Sequence, residues 1–456
     1  MTELRLRQLT AFGVFLLAVL AYWPALDNPF IADDYALLLG AEKAAEHCTA
    51  LFAMPLGGRR LVSNFFFTVC FALFGADSSL FYWANLFLHV VNSLLVVHLV
   101  RAVVGNWRAA VGAGLFFVAY ERHQEPVFWI GASHELLLAL GVLATAYAFV
   151  RYRQSGRRGW YALALVAFVF SVFAKESFLV IPPLLVLADW CVGRGPWRGR
   201  WRAHAPFWLA TAAYVALMYA GPWPYPFGET QSGLTPHFFG VYLRSLNRLL
   251  LFVYGFFALG WIVSRLKQEP FAPLRLRAFF FFLAWLLVTI GPYSFILYEK
   301  QLSSRHTYIP SVATAALVGL LFAFVWERAR SGSMRSAWAA VLAVCLAVNV
   351  AYVWKKDVQY IDRAESTEQL ILWLNGSTQW LDQSRSIPWL GPGSKVVVYD
   401  FPYPAIVGRG AVRFFTTVDP HAVVFRWKNR PKPTPPASLT LIWDPTSKMF
   451  RYVPLF

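Results

Sequence analysis

Residues 8–35 read QLTAFGVFLLAVLAYWPALDNPFIADDY, a nearly continuous apolar run followed by two adjacent aspartates. A helix that spans a bilayer needs about 20 mainly apolar residues, and residues 8–26 meet that requirement. Asp33 and Asp34 follow where a first loop would leave the membrane. Neighbouring carboxylates repel each other, so such a pair usually faces water, a cation or a reacting group. Solvated loop acids and a reaction site are therefore the two interpretations of this pair.

The composition of the whole chain is that of a polytopic membrane protein. Of the 456 residues, 58% are hydrophobic and 14% are charged, whereas soluble domains carry about 25% charged residues. The net charge of +17 comes mainly from arginines between the hydrophobic runs. This arrangement suits anionic lipid headgroups and argues against a nucleic-acid partner. The four cysteines lack CxxC spacing, so neither a disulfide framework nor a zinc site is predicted.

Further apolar runs predict an all-α polytopic membrane domain with eleven spans. The stretch 61–75 is apolar but too short to cross, and it predicts an interfacial helix in the first loop. With this assignment arginine and lysine concentrate on one side, and the positive-inside rule then predicts a cytoplasmic N-terminus and an external C-terminus. The predicted spans are 8–26, 80–100, 108–121, 133–150, 159–174, 177–192, 205–221, 239–263, 278–297, 307–326 and 337–354.

After residue 354 the chain becomes polar and rich in proline. Residues 364–374 have the spacing of an amphipathic helix, and four short segments are typical of strands, at 395–399, 422–427, 439–443 and 450–453. The prediction is therefore a transmembrane domain over 1–354, whose first outer loop is 27–79. A small α+β extracytoplasmic domain follows over 355–456.

The predicted outer loops collect the ionisable residues, whereas the inner loops contain mainly arginine and glycine. Ionisable groups at a membrane boundary are costly and often mark functional sites. We therefore take the polar residues of the outer loops as candidates for binding and chemistry. They are Asp33, Asp34, Arg60, His123, Glu125, Lys175, Glu176, Arg305, His306 and Tyr308.

Two polar stripes lie on predicted spans. Asn85, His89 and Asn92 follow one another at helical spacing, which suits either substrate binding or hydrogen bonds between helices. Arg244 and Arg248 lie one turn apart near the outer end of the eighth span. Two such arginines either clamp a phosphate or extend to lipid headgroups.

Six motifs in one order resemble those of the integral-membrane glycosyltransferases of the GT-C superfamily. They are similar to the membrane domain of the transmembrane-and-TPR-containing O-mannosyltransferases and to related bacterial polyprenyl-phosphate-sugar transferases. The sequence departs from the family pattern in the residues after Gly131, in the histidine at 306 and in a C-terminal segment without TPR repeats. These departures affect the expected identity of the acceptor more than the expected reaction class. The motifs are Ala32–Tyr35, Arg59–Leu61, Asn85–Asn92, His123–Gly131, Ala174–Ser177 and Ser304–Ser311.

The resemblance implies transfer of a sugar from a polyprenyl-phosphate donor to an acceptor hydroxyl on the non-cytoplasmic face, with inversion. It implies Asp33 or Asp34 as the base, since a carboxylate near the hydroxyl can take its proton. No cofactor is required, although Asp33, Asp34 and Glu125 would hold Mg²⁺ or Mn²⁺ if the reaction used a divalent ion. The expected partners are the lipid-linked donor, a protein, glycan or lipid acceptor, and membrane lipids. The implied donor-phosphate ligands are Lys175, Arg305, Arg60, Arg244 and Arg248, and the implied substrate-binding residues are His123, Glu125, Glu176, His306, Tyr308, Asn85 and His89.

Two other functions compete with this prediction. A transporter or flippase for lipid-linked or anionic cargo would carry inverted repeats and polar groups near the midplane, neither of which the sequence indicates. A GT-C-like scaffold with a degenerate site is disfavoured by the retained aspartate pair. The arginine-rich, lysine-poor composition suggests a bacterial inner membrane with the site facing the periplasm. In a eukaryote the same face would be the lumen of the endoplasmic reticulum.

Overall fold

The computed structural model describes residues 3–54, 58–193, 200–220, 233–266, 268, 276–298, 302–329, 331–375, 395–426 and 439–453. The chain divides into two compact units. The first comprises Met1–Trp23, Trp83–Val127 and Ala132–Lys355, and the second comprises Pro24–Tyr82, Phe128–Gly131 and Lys356–Phe456. The second unit therefore combines first-loop residues with the C-terminal segment. The domain limits drawn at residues 354 and 355 stay a prediction.

Fifteen α-helices are present in the described residues. In chain order they are α1 Glu3–Tyr22, α2 Asp34–Glu46, α3 Leu61–Phe74, α4 Ser78–Val104, α5 Trp107–Ala119, α6 Gln124–Phe128, α7 Ser133–Ser155, α8 Arg158–Ala174, α9 Ile181–Val192, α10 Trp201–Ala220, α11 Pro236–Leu266, α12 Leu276–Ile290, α13 Ser311–Arg328, α14 Gly332–Leu374 and α15 Ala405–Phe415. Helices predominate because the bilayer core offers no water to the backbone, and a helix satisfies its own N–H and C=O groups.

The protein is an integral multi-pass membrane protein. In the part of the chain that the structure describes, seven helical segments are long and apolar enough to cross a membrane. Four further predicted spans coincide with α5, α8, α9 and α10, which are shorter or less apolar, so a total of eleven spans stays a prediction. The seven segments are Glu3–Asp27, Ser78–Val104, Ile130–Ser155, Pro236–Leu266, Leu276–Phe295, Ser311–Arg328 and Gly332–Leu374.

Small residues let the helices of the first unit approach closely. A Cβ atom on Gly319 of α13 would lie 2.2 Å from the carbonyl oxygen of Ala109 on α5. A Cβ atom on Gly141 of α7 would lie 2.1 Å from the Ser171 hydroxyl on α8. Such contacts are typical of membrane helices, where close backbone packing replaces the hydrophobic effect as the cause of association.

The second unit contains a four-stranded sheet. Its strands are β1 Val396–Tyr399, β2 Val423–Arg426, β3 Leu439–Asp444 and β4 Met449–Val453, in the spatial order β2-β1-β3-β4. β1 is parallel to β2 and β3, whereas β3 and β4 form an antiparallel hairpin. Leu439, Leu441 and Trp443 alternate with less buried residues along β3, which packs one face inward. The strands lie where the sequence predicted them, except that Trp427 is outside the described residues.

Four helical features differ from the sequence prediction or were absent from it. Residues 364–374 are the end of the 43-residue helix α14 rather than a separate helix, because neither proline nor glycine interrupts the chain after Trp354. Helices α2, α6 and α15 were not predicted. The stretch 61–75 does form a helix, α3, and its place at a membrane interface stays a prediction.

Candidate functional site

Asp33 and Asp34 lie at the start of α2, in the second unit. The preceding residue, Ala32, has a φ of +46°, so the backbone takes a left-handed conformation there and turns sharply. The Asp33 residue is exposed to solvent, whereas Asp34 is only 1% exposed. The two neighbouring carboxylates therefore have different surroundings, and Asp33 is the one that is open to solvent.

The Asp34 carboxylate is held by backbone groups from two separate stretches of chain. Its Oδ2 accepts a hydrogen bond from the Ile31 amide at 2.9 Å, and its Oδ1 accepts one from the Gly131 amide at 2.6 Å. A Cβ atom on Gly131 would lie 3.0 Å from that Oδ1 and 3.0 Å from Nε1 of Trp129, so glycine permits this approach. These contacts fix Asp34 in place.

Burial raises the pKa of Asp34 to about 8, with a further increase from the charge of Asp33. The hydrogen bonds from Ile31 and Gly131 and the Trp129 side chain act in the opposite direction, because they favour the ionised carboxylate. The Asp34 side chain therefore loses its proton at neutral to mildly alkaline pH rather than at acidic pH.

Tyr403 of the C-terminal segment interacts electrostatically with this pair. The Tyr403 hydroxyl donates a hydrogen bond to the carbonyl oxygen of Arg363 at 2.6 Å. Burial raises the pKa of Tyr403, and the charge of Arg363 lowers it. The charges of Asp33 and Asp34 raise this pKa as well, so the tyrosine interacts electrostatically with both aspartates. Sequence reasoning did not find Tyr403 or Arg363, because no local pattern links them to residues more than 300 positions away.

The first unit contains a buried ion pair between Glu135 and Lys175. The two side chains are only 1% and 5% exposed. Glu135 also lies 3.4 Å from Nε2 of His306, and its Oε2 accepts a hydrogen bond from the Tyr293 hydroxyl at 3.3 Å. Lys175 and His306 were predicted site residues, whereas Glu135 and Tyr293 were not. The signal for Glu135 was available, since a buried lysine needs an acidic partner.

Aromatic rings surround this ion pair. The Tyr293 ring stacks on His306 with centroids 4.5 Å apart and an interplanar angle of 13°. The Lys175 ammonium lies 5.4 Å from the centroid of the same tyrosine. The Tyr298 hydroxyl pairs with Nδ1 of His306 at 2.5 Å, and burial raises the pKa of Tyr298 to about 12. Charge, imidazole and phenol groups are thus held in one preorganised cluster.

Glu125 holds the segment that precedes α13. It accepts hydrogen bonds from the Ser303 hydroxyl and, at 3.1 Å, from the Arg305 amide. Its Oε1 lies 3.4 Å from the Arg305 guanidinium, which is 27% exposed. The structure thus brings together two predicted residues, Glu125 and Arg305, and leaves the arginine partly open to solvent.

His123 acts on the same segment from inside the protein. Its Nε2 donates to the Ser311 hydroxyl at 2.6 Å, and that hydroxyl donates to the Tyr308 carbonyl oxygen at 2.6 Å. Burial holds the pKa of His123 well below its ordinary value, and nearby His89 adds to the effect. The imidazole is therefore neutral at physiological pH. Its contacts support a structural role, and substrate binding by His123 stays a prediction.

The polar stripe on α4 is completely buried. Nε2 of His89 lies 3.0 Å from the Val118 carbonyl oxygen, so it carries the proton, and Nδ1 then accepts from the Tyr308 hydroxyl at 2.7 Å. Asn85 and Asn92 likewise bond to groups on other parts of the first unit. These contacts favour hydrogen bonding between helices. Substrate binding by Asn85, His89 and Tyr308 stays a prediction.

The other predicted residues are dispersed. Arg60 is half-buried at the start of α3, and Glu176 is buried beside Lys175 in the chain. On α11, Arg248 is half-buried and the exposed Arg244 folds back over Gly240, where a Cβ atom would lie 3.3 Å from the guanidinium. The phosphate-binding role of the three arginines stays a prediction.

The predicted carboxylates already have partners. Both oxygens of Asp34 accept backbone N–H groups, and Glu125 contacts a hydroxyl, an amide and a guanidinium. No group of three or more histidine, cysteine, aspartate or glutamate side chains that could hold a metal ion occurs among the described residues. The role of Asp33, Asp34 and Glu125 as ligands of a divalent ion stays a prediction.

Comparison with solved structures identifies the fold. No protein-family model and no curated protein matches the sequence. ArnT from Cupriavidus metallidurans bound to undecaprenyl phosphate matches with a TM-score of 0.57 and 13% identity, over 96% of this chain and 93% of that chain. AglB from Archaeoglobus fulgidus, in complex with an inhibitory peptide and a dolichol-phosphate, matches with a TM-score of 0.51 and 12% identity, over 92% of this chain and 64% of that chain.

An oligosaccharyltransferase from Archaeoglobus fulgidus tethered with an acceptor peptide matches with a TM-score of 0.53 and 11% identity. This match covers 91% of the present chain and 64% of the other chain. These neighbours are glycosyltransferases of the GT-C superfamily, and the similarity extends over both units of the present protein. The chain therefore has the fold of the GT-C integral-membrane glycosyltransferases, as its motifs predicted.

Proposed function

We propose that this protein is a glycosyltransferase that moves a sugar from a polyprenyl-phosphate donor to an acceptor hydroxyl. The proposal includes inversion at the anomeric carbon and a site on the non-cytoplasmic face, in bacteria the periplasmic face of the inner membrane. The observation that carries it is the exposed Asp33 beside the buried, doubly bonded Asp34, in a chain with the GT-C fold. The undecaprenyl phosphate bound to ArnT supports the proposed donor class.

Asp33 is the proposed general base. The acceptor oxygen attacks the anomeric carbon, its proton passes to the Asp33 carboxylate, and the carbon–oxygen bond to the phosphate breaks. The electron pair of that bond leaves with the phosphate. A single displacement of this kind inverts the anomeric centre. Both oxygens of Asp34 accept hydrogen bonds from backbone N–H groups, so Asp34 is a less suitable base than Asp33. Its proposed role is to orient the turn.

The leaving phosphate gains negative charge as the bond breaks, and preorganised cations stabilise that charge. Lys175 and Arg305 are the proposed donors to it, since acidic partners hold each of them in one position. Arg60, Arg244 and Arg248 are further proposed phosphate ligands. His306, Glu176 and Tyr308 are proposed to contact the sugar or the acceptor.

A transporter of lipid-linked cargo is the alternative function. The buried Glu135–Lys175 pair lies partly on a membrane-spanning helix, and such pairs also occur in transport pathways. The two functions differ in their product. A transferase releases free polyprenyl phosphate in nanodiscs, whereas a transporter moves intact labelled lipid between the leaflets of a vesicle.

The test of the base compares Asp33→Asn, Asp34→Asn and, as a control on the same helix, Glu46→Gln. Turnover is measured as release of polyprenyl phosphate from labelled polyprenyl-phosphate hexoses and pentoses, with a membrane glycolipid extract as acceptor. Loss of a general base lowers kcat by about 10²- to 10⁴-fold, so Asp33→Asn is expected to fall by that factor. Its affinity for polyprenyl phosphate and the kcat of the Glu46 variant are expected to stay unchanged.

The pH dependence distinguishes the two aspartates. A base must be ionised, so if Asp34 served as base kcat would rise with pH through about 8. We expect no rise of kcat that follows the ionisation of Asp34, because Asp33 is the proposed base. A limb near pH 8 that disappears in Asp34→Asn, with full activity in Asp33→Asn, would assign the proton to Asp34 instead.

A further inference from the structure

Helix α15 packs directly against the turn that carries the two aspartates. A Cβ atom on Gly410 of α15 would lie 2.7 Å from the carbonyl oxygen of Tyr35 and 2.9 Å from its Cβ. Tyr35 immediately follows Asp34 and is 1% exposed. Glycine at position 410 therefore allows the backbone of α15 to reach the first turn of α2.

The last residue of α15 completes an aromatic cluster around the same turn. The Phe415 ring lies 6.1 Å from the ring of Phe30 and 6.1 Å from the ring of Tyr35, measured between centroids. Phe30 and Tyr35 also contact each other edge to face at 6.0 Å. They stand before and after the aspartates in the chain, so the three rings bracket Asp33 and Asp34. Edge-to-face ring pairs stabilise beyond the area that they bury.

Polar contacts connect the same parts of the second unit. Arg413 of α15 lies 3.1 Å from Glu42 of α2. Asn28, just before the turn, donates a hydrogen bond to Asp357 at 2.7 Å, and both residues are buried. The first loop is therefore held at several points by residues that lie more than 300 positions later.

We propose that α15 is a positioning element for the general base, acting through the Phe415 ring and the close approach at Gly410. The packing keeps Asp33 exposed while Asp34 retains its two backbone hydrogen bonds. This inference rests on the proposed function and assigns the C-terminal segment a role in it. The Phe415 ring contacts Phe30 and Tyr35, and its proposed effect on Asp33 passes through these two residues.

The test compares Phe415→Ala with Phe414→Ala. Phe414 is the neighbouring residue on α15, and its ring contacts Phe71 at 5.7 Å instead of the aspartate turn. Phe415→Leu, which keeps most of the buried volume, and Phe415→Tyr, which keeps the ring, are measured beside them. The first readout is hydrogen exchange of the amides in residues 31–38, including the Ile31 amide that Asp34 binds. The second is the pH–rate profile, with kcat and the donor KM.

Exchange in Phe415→Ala is expected to be at least about tenfold faster than in Phe414→Ala, since the turn loses its aromatic support. We expect kcat to fall by about 10-fold or more with the donor KM unchanged, because a misplaced catalytic group lowers the rate and not donor binding. The acidic limb should move, and Phe415→Tyr should restore the wild-type profile. A loss of folded protein alone would lower kcat without moving that limb.

Equal exchange and equal profiles in the two alanine variants would overturn the positioning role. If Phe415→Ala does not fold, the same comparison is made between Phe415→Leu and Phe414→Ala, and equal exchange there also overturns it. If the wild-type protein releases no polyprenyl phosphate, the proposed function fails. Faster exchange in the Phe415 variant then still supports the packing role of α15, and equal exchange overturns that role as well.

Discussion

Replacing Glu135 with glutamine is expected to destabilise the protein strongly, because the Lys175 ammonium would lose its buried counter-charge. The two side chains are 1% and 5% exposed, so water screens their interaction very little. Breaking a buried ion pair from one side costs about 3–5 kcal/mol of unfolding free energy. We expect a loss of that size for Glu135→Gln and also for Lys175→Met.

The double variant Glu135→Gln/Lys175→Met should recover most of this loss. Neutral side chains of similar volume carry no desolvated charge, and such replacements are often close to neutral in stability. The two single variants and the double variant form a double-mutant cycle. Its coupling free energy measures the interaction between Glu135 and Lys175 separately from their contacts with Tyr293 and His306. Glu3→Gln, at an exposed ion pair with Arg7, is the control and should leave the unfolding midpoint unchanged.

The assay is reversible unfolding in detergent micelles, followed in parallel by transferase turnover in nanodiscs. The double variant should be stable and inactive, since the proposed phosphate ligand Lys175 is absent. If both single variants lost less than about 1 kcal/mol of unfolding free energy, the burial of the pair would be refuted, because solvent-exposed ion pairs contribute about that much to stability. Full turnover in the stable double variant would instead refute the role of Lys175 at the phosphate.

Two further perturbations test the surroundings of the carboxylates. Gly131→Ala places a Cβ atom 3.0 Å from Oδ1 of Asp34, so it should cost about 1–3 kcal/mol by overpacking and lower kcat. Gly255→Ala is the control, since its Cβ would meet nothing within 4 Å, and equal melting and turnover in both variants would contradict the crowding. Treatment with EDTA should leave turnover unchanged, because Asp34 and Glu125 already direct their oxygens at N–H and O–H donors. Inactivation that added Mg²⁺ reverses would contradict this.

Much of the architecture follows from patterns a few residues long. Apolar runs predicted the membrane helices, since backbone groups in lipid must find partners within the same segment. Apolar residues that alternate with others along 439–443 predicted a strand. Six motifs that occur in the same order as in the family predicted the GT-C fold of the solved structures. Helix α15 was missed because it is only 11 residues long and contains Gly408 and Gly410, which lower its intrinsic helix propensity.

The candidate site depends on contacts between residues far apart in the chain. The sequence shows two identical side chains at 33 and 34, and local pattern cannot tell which is buried. The tertiary structure decides it, because the Gly131 amide binds Asp34 across 97 residues and leaves Asp33 exposed. In the same way Glu135 meets Lys175 across 40 residues. Periodicity and propensity act over a turn or two, whereas burial and charge pairing are set by whichever segments the fold brings together.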